Sequence, residues 1–165
     1  MTSQYETKRL ITFDRIKIKS NYKYLLNTKV KFNEMFHSRS GEKIGIFYSS
    51  KDDINIPYNL YIAVSYIKQT LTLEFSSKIL KEKYPDLISR DTIKECLTNI
   101  NQLHICDIDV DSILSNGAIT SVDVTYDANL ILSDNLLNIL NSQVNNYRRF
   151  KWAHYDKEGI IFTKD

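Results

Sequence analysis

The residues with most chemical potential lie in two basic stretches. Near the C-terminal end, Tyr147-Arg-Arg-Phe-Lys-Trp-Ala-His-Tyr155 interleaves cations with rings. Bases stack on aromatic faces while Arg and Lys hold phosphates, so this composition suits single-stranded or distorted DNA. On a strand, Tyr147, Arg149, Lys151 and Ala153 share one face, and Arg148, Phe150, Trp152 and His154 the other. The bland alternative places Phe150 and Trp152 in a core. The second stretch, residues 1–31, carries eight cations, among them Lys17, Lys19 and Lys23, against Glu6 and Asp14. Lys17, Lys19, Lys23, Arg148, Arg149, Lys151 and Trp152 are therefore the candidate nucleic-acid contacts.

Other chemistries lack their residues. Asp107-Ile-Asp109-Val-Asp111 has the opening of a calcium loop, but Ser112 stands where the turn needs Gly and Ala118 where the closing Glu belongs. Asp109 or Asp111 is better read as the cap of a short helical turn at Ser112–Leu114. His37, His104 and His154 are too scattered to share a metal, and His104 suits the end of a helix. No metal site or cofactor is expected. Four scattered glycines allow neither a phosphate loop nor a nucleophile elbow.

The elements that must position the basic residues come from periodicity. Residues 11–19 alternate Phe13, Ile16 and Ile18 with polar partners, with one slip at Asp14-Arg15 that a bulge explains. Residues 43–48 and 59–65 read as strands. In residues 69–75, Thr70, Thr72 and Glu74 face one way, and Leu71, Leu73 and Phe75 the other. The short link between the last two strands implies an antiparallel hairpin. Ser76–Lys83 reads as a short helix ended by Pro85. Ser89–His104 reads as a capped helix with one stripe of Ile93, Cys96, Leu97, Ile100 and Leu103. Residues 119–126 return to strand, with Ile119, Ser121, Asp123 and Thr125 on one face. Ser133 opens a last helix with Leu136, Leu137, Leu140 and Val144 inward, and the tail closes in a hairpin around Glu158-Gly159. The expected fold is α+β: a mostly antiparallel sheet with the Ser89–His104 and Ser133–Val144 helices on one face.

With 165 residues, 42% hydrophobic and 25% charged, the chain suits one domain, 1–165, with its own core. Formal net charge is +2, yet residues 86–134 hold nine acids against Arg90 and Lys94. This asymmetry permits a basic face on a nearly neutral molecule. Cys96 and Cys106 fit a free, half-buried pair in a reducing compartment. The N-terminus has charges where a signal peptide needs an apolar core, and no run is long enough to cross a bilayer, so a cytoplasmic location without membrane contact is expected.

The order of signals resembles the N-terminal region of replication-initiation proteins from filamentous phages and rolling-circle plasmids. The resemblance rests on Leu60-Tyr-Ile-Ala-Val-Ser65, on Phe75-Ser-Ser-Lys-Ile-Leu80, on the Ser89–His104 helix, on Ser121-Val-Asp-Val124, and on the opening strand Phe13-Asp-Arg-Ile-Lys-Ile18. It implies a DNA-binding module of a replication initiator, binding an origin or single-stranded or hairpin DNA. Asp123 is the position it places nearest a catalytic metal. The chain lacks the metal-binding His-x-His of related nickases and stops before their tyrosine strand, so catalysis by this chain alone is not expected. The alternative is a small phage- or plasmid-encoded inhibitor that binds a host protein, such as a nuclease effector, its acidic middle segment imitating nucleic acid.

Overall fold

The computed structural model describes residues 11–124, 135, 139, 151–155 and 159–163. Backbone contacts divide the chain into two compact units, Met1–Tyr126 and Asp127–Asp165, where length had suggested one.

The first unit is built on an antiparallel sheet of six strands in the order β3-β4-β5-β6-β1-β8. The strands are β1 (Phe13–Asn21), β3 (Asn33–Phe36), β4 (Lys43–Ser49), β5 (Leu60–Ser65), β6 (Thr70–Ser76) and β8 (Ala118–Val124). Two short strands, β2 (Leu25–Thr28) and β7 (Cys106–Ile108), form a separate ribbon. The expected β5–β6 hairpin is present, with Ile62 opposite Leu73 and Tyr61 opposite Glu74. The slip at Asp14-Arg15 is a register shift between Phe13 and Arg15 where β1 pairs with β8.

One face of this sheet makes the core. Ile16 and Ile18 of β1, Leu71, Leu73 and Phe75 of β6, and Leu60, Ile62 and Val64 of β5 are all buried. They form one cluster with Cys96, Leu97 and Ile100 of α1 (Ile93–Gln102) and Ile113 of α2 (Val110–Asn116). Fully burying each large aliphatic or aromatic side chain contributes about 1.5–3 kcal/mol, so this cluster fixes which way β1, β5 and β6 face. Both cysteines are free and fully buried rather than half-buried. Burial pushes each thiol up to about 12.

Several boundaries differ from expectation. The helix expected over Ser89–His104 spans Ile93–Gln102. Ser89 organises the turn before it: Ser89 Oγ accepts from the N–H of Thr92 (3.3 Å), and Thr92 Oγ1 accepts from the N–H of Ser89 (2.8 Å). This is a capping box with Thr in the place of Glu. The helix expected over Ser76–Lys83 is instead 3-10 in character across Ser77–Asp86, interrupted at Lys81 (φ 58°) and containing Pro85. Pro85 disfavours α geometry at Tyr84 and lacks an N–H for an α-helical bond, so tighter turns replace the helix. Asp109 caps α2 as expected, its carboxylate accepting from the N–H and Oγ of Ser112 at 3.0 and 2.7 Å.

In the second unit, β9 (Lys151–Tyr155) and β10 (Gly159–Thr163) pair antiparallel, as the hairpin expectation required. The Ser133–Val144 helix lies outside the described residues except Asn135 and Ile139, both helical. Among the described residues no helix is long and apolar enough to cross a membrane.

Candidate nucleic-acid interface

The core alternation leaves the opposite face of the sheet with its own cast of residues. Directly paired residues on antiparallel strands point to the same side. One row across that face therefore reads Ser49, Tyr61, Glu74, Lys17 and Ser121, from β4 to β8. The adjacent row reads Asn33, Phe47, Ala63, Thr72, Lys19 and Ala118. Rings thus stand on β4 and β5 and cations on β1, two to three strand spacings or roughly 10–14 Å away.

The aromatic part is a contact between Phe47 and Tyr61, with ring centroids 6.0 Å apart and planes tilted by 34°. Both rings are only half-buried. A shallow concavity beside them is lined by Lys17, Phe47, Ser49, Lys51, Asn59, Tyr61 and Glu74. Lys51 is carried by the 3-10 turn Ser50–Asp52. Buried Ser50 fixes that turn, its hydroxyl donating to the Tyr58 carbonyl (2.6 Å) and accepting from the N–H of Leu60 (2.9 Å). Tyr48 supports the same loop from the inner side by donating to Asp53 at 2.9 Å.

The cationic part is partly neutralised. Glu74, whose side chain is 18% exposed, takes Lys17 Nζ at 2.7 Å and Arg15 at 3.4 Å. Arg15 also holds Asp123 across the β1–β8 pair at 2.9 Å. Lys19 and Lys51 are exposed and have no carboxylate partner among the described residues. Four cations therefore surround two carboxylates on one face that also carries rings.

The sequence-derived candidates separate on this map. Lys17 and Lys19 come together on the outer face of β1. Lys23 is exposed in the 3-10 turn Tyr22–Tyr24 that follows β1. Lys151 and Trp152 lie on β9, opposite Thr163 and Phe162, while Arg148 and Arg149 lie outside the described residues. Asp123 is engaged by Arg15, and among the described residues no three His, Cys, Asp or Glu side chains gather as a metal site. Phe47, Tyr61, Lys51 and Glu74 were not singled out from sequence. The alternation of residues 69–75 places Glu74 on the wet face. Extending that phase across the hairpin would have put Tyr61 beside it.

The acidic segment is largely occupied by its own molecule. Asp107 pairs with Lys29 (2.5 Å), Asp111 with Lys94 (2.9 Å) and Glu95 with Lys83 (2.8 Å), while Asp109 serves as a cap. Comparison of the chain with protein-family models, curated proteins and solved structures finds no match.

Proposed function

We propose that this chain is a DNA-binding module that takes single-stranded or hairpin DNA on the outer face of its six-stranded sheet, as part of a phage or plasmid replication-initiation system acting in the cytoplasm. The observation that carries the reading is the half-buried Phe47–Tyr61 pair set beside Lys17, Lys19, Arg15 and Lys51 on one open sheet face. Open sheets with aromatic residues at the centre and cations around them bind unpaired bases by stacking and their phosphates by charge. The replication assignment is supported by the order of sequence elements from Phe13 to Val124. The basic-aromatic segment Tyr147–Tyr155 supplies a second set of the same residue types.

The test is fluorescence anisotropy with labelled single-stranded and hairpin DNA over a range of salt concentrations. Affinity is expected to fall as salt rises, with a log–log slope of roughly −0.7 for each phosphate neutralised on a single strand. Absence of binding at low salt, or binding indifferent to salt, overturns the reading.

A further inference from the structure

We propose that Glu74 and Lys17 form a base-reading pair that selects guanine among unpaired bases reaching the sheet face. This rests on the reading of that face as a single-strand surface and adds base selectivity to it.

Three features of the site carry the inference. First, Tyr61 stands directly opposite Glu74, and Glu74 directly opposite Lys17, so a stacking ring, a carboxylate and an ammonium follow one another in a single row. Second, the carboxylate retains accepting capacity. Its Oε2 takes Lys17 at 2.7 Å, but Oε1 has only long contacts, 3.4 Å to Arg15 and 3.5 Å to the Asn59 amide. Each carboxylate oxygen accepts about two hydrogen bonds, and Arg15 is held more closely by Asp123. Third, the pair offers one donor, the ammonium, next to two acceptors, the carboxylate oxygens.

The unpaired Watson–Crick edges of the bases differ in their fit to that pattern. Guanine presents an acceptor, O6, followed by two donors, N1–H and the N2 amine, which complements an ammonium beside a carboxylate. Cytosine presents one donor and then two acceptors, which sets acceptors against the carboxylate. Thymine offers a single donor between two carbonyls, and adenine an amine beside a bare ring nitrogen. Single strands are read on these edges because nothing else occupies them. Stacking on Tyr61 and Phe47 is indifferent to base identity, so discrimination falls to the charged pair. The same chemistry would attract a free guanine nucleotide, and the experiment separates the two sources.

The experiment uses a short all-thymine strand with one central position changed in turn to guanine, inosine, adenine or cytosine, alongside free dGMP. The wild-type chain is expected to bind the guanine strand roughly tenfold more tightly than the thymine strand, as for a bidentate base contact. Inosine, which lacks the exocyclic amine, should retain only part of that gain. Glu74→Gln should lose the guanine preference while binding the all-thymine strand more tightly, since Lys17 and Arg15 are released to phosphates. Equal affinity for all four bases overturns the proposal but leaves single-strand binding standing, as does a guanine preference that survives in Glu74→Gln. Binding of dGMP as tight as that of the guanine strand assigns the pair to a free nucleotide and overturns strand reading. If no strand binds at all, both this proposal and the function above fail.

Discussion

At the scale of single residues, the candidate interface separates into two kinds of contribution with different signatures. Phe47 and Tyr61 would act through stacking, which is worth about 1–3 kcal/mol per base and depends little on salt. Lys19, exposed and without a carboxylate partner among the described residues, would act through counterion release, which sets the salt slope. Tyr61→Ala and Phe47→Ala are therefore expected to weaken single-strand binding roughly tenfold or more with the slope unchanged. Lys19→Ala should flatten the log–log slope by roughly 0.7 units. Anisotropy titrations at four or five salt concentrations distinguish the two patterns, and a Tyr61→Ala chain with wild-type affinity would remove the ring from the interface. The lysines were readable as candidates because charge clusters show directly in the sequence. The rings were not, because Leu60-Tyr-Ile-Ala-Val-Ser65 is apolar at nearly every position, and such a strand does not reveal its outer face until its partner is known.

At the scale of elements, strong alternation was readable and short or irregular pieces were not. β6 and most of β1 follow their period-two pattern, because a buried face fixes register and a one-residue slip would expose the whole core set. β8 departs from the expected alternation: it is exposed along nearly its whole length, and a register shift beside Lys17 sets Ile119 opposite inward-facing Ile18 while Ser121 and Asp123 stand opposite Lys17 and Arg15, so Ile119 does not share their face. β2 and β3 are four residues each with mixed polarity, Leu-Leu-Asn-Thr and Asn-Glu-Met-Phe. Their strand geometry comes from their neighbours. The Ser77–Asp86 segment is likewise held by tertiary bonds. Buried Asn99 of α1 donates to the Ile79 carbonyl at 3.0 Å, and Ser77 donates to Asp14 at 2.9 Å. Asn99→Ala is expected to cost about 1–3 kcal/mol in chemical denaturation, because it leaves a buried carbonyl without its donor. Asp109 makes a pH-dependent contribution. Its bonds from the Ser112 N–H and hydroxyl hold its carboxyl below the ordinary value of 3.8. A depressed folded value means stability that is fully present above about pH 4 and lost as pH falls through that lower value. The Asp109→Asn variant should therefore have a lower melting temperature at pH 7, with the difference from wild type shrinking toward pH 3. A difference that stays constant with pH would assign the effect of the substitution to something other than the carboxylate.

At the scale of the whole molecule, a formal charge of +2 conceals a division of labour. Carboxylates of the middle segment pair with Lys29, Lys83 and Lys94, while Lys19 and Lys51 on the sheet face have no carboxylate partner among the described residues. That face is a broad, open platform with its rings only half-exposed. A duplex keeps its bases stacked inside and presents only phosphates to such a platform, whereas an unpaired strand can offer both. The chain is thus expected to bind a single strand more tightly than the duplex of the same sequence at equal salt, and competition between the two checks this. Tighter duplex binding would mean that the rings take no part.

The alternation along β6 has a further consequence for how binding would register in spectroscopy. The amides of β1, β5 and β6 are already committed to cross-strand bonds on both sides of β6, and their inner side chains are sealed against α1 and α2. A strand lying on the outer face adds no hydrogen bond to that backbone and opens none. Amide exchange in these strands should therefore slow only by the general stabilisation that any ligand of the folded state brings, and show no footprint local to the outer face. The ring resonances of Phe47 and Tyr61 would carry the local signal instead, shifted by the ring currents of stacked bases, so backbone protection would report that something binds while aromatic spectra report where.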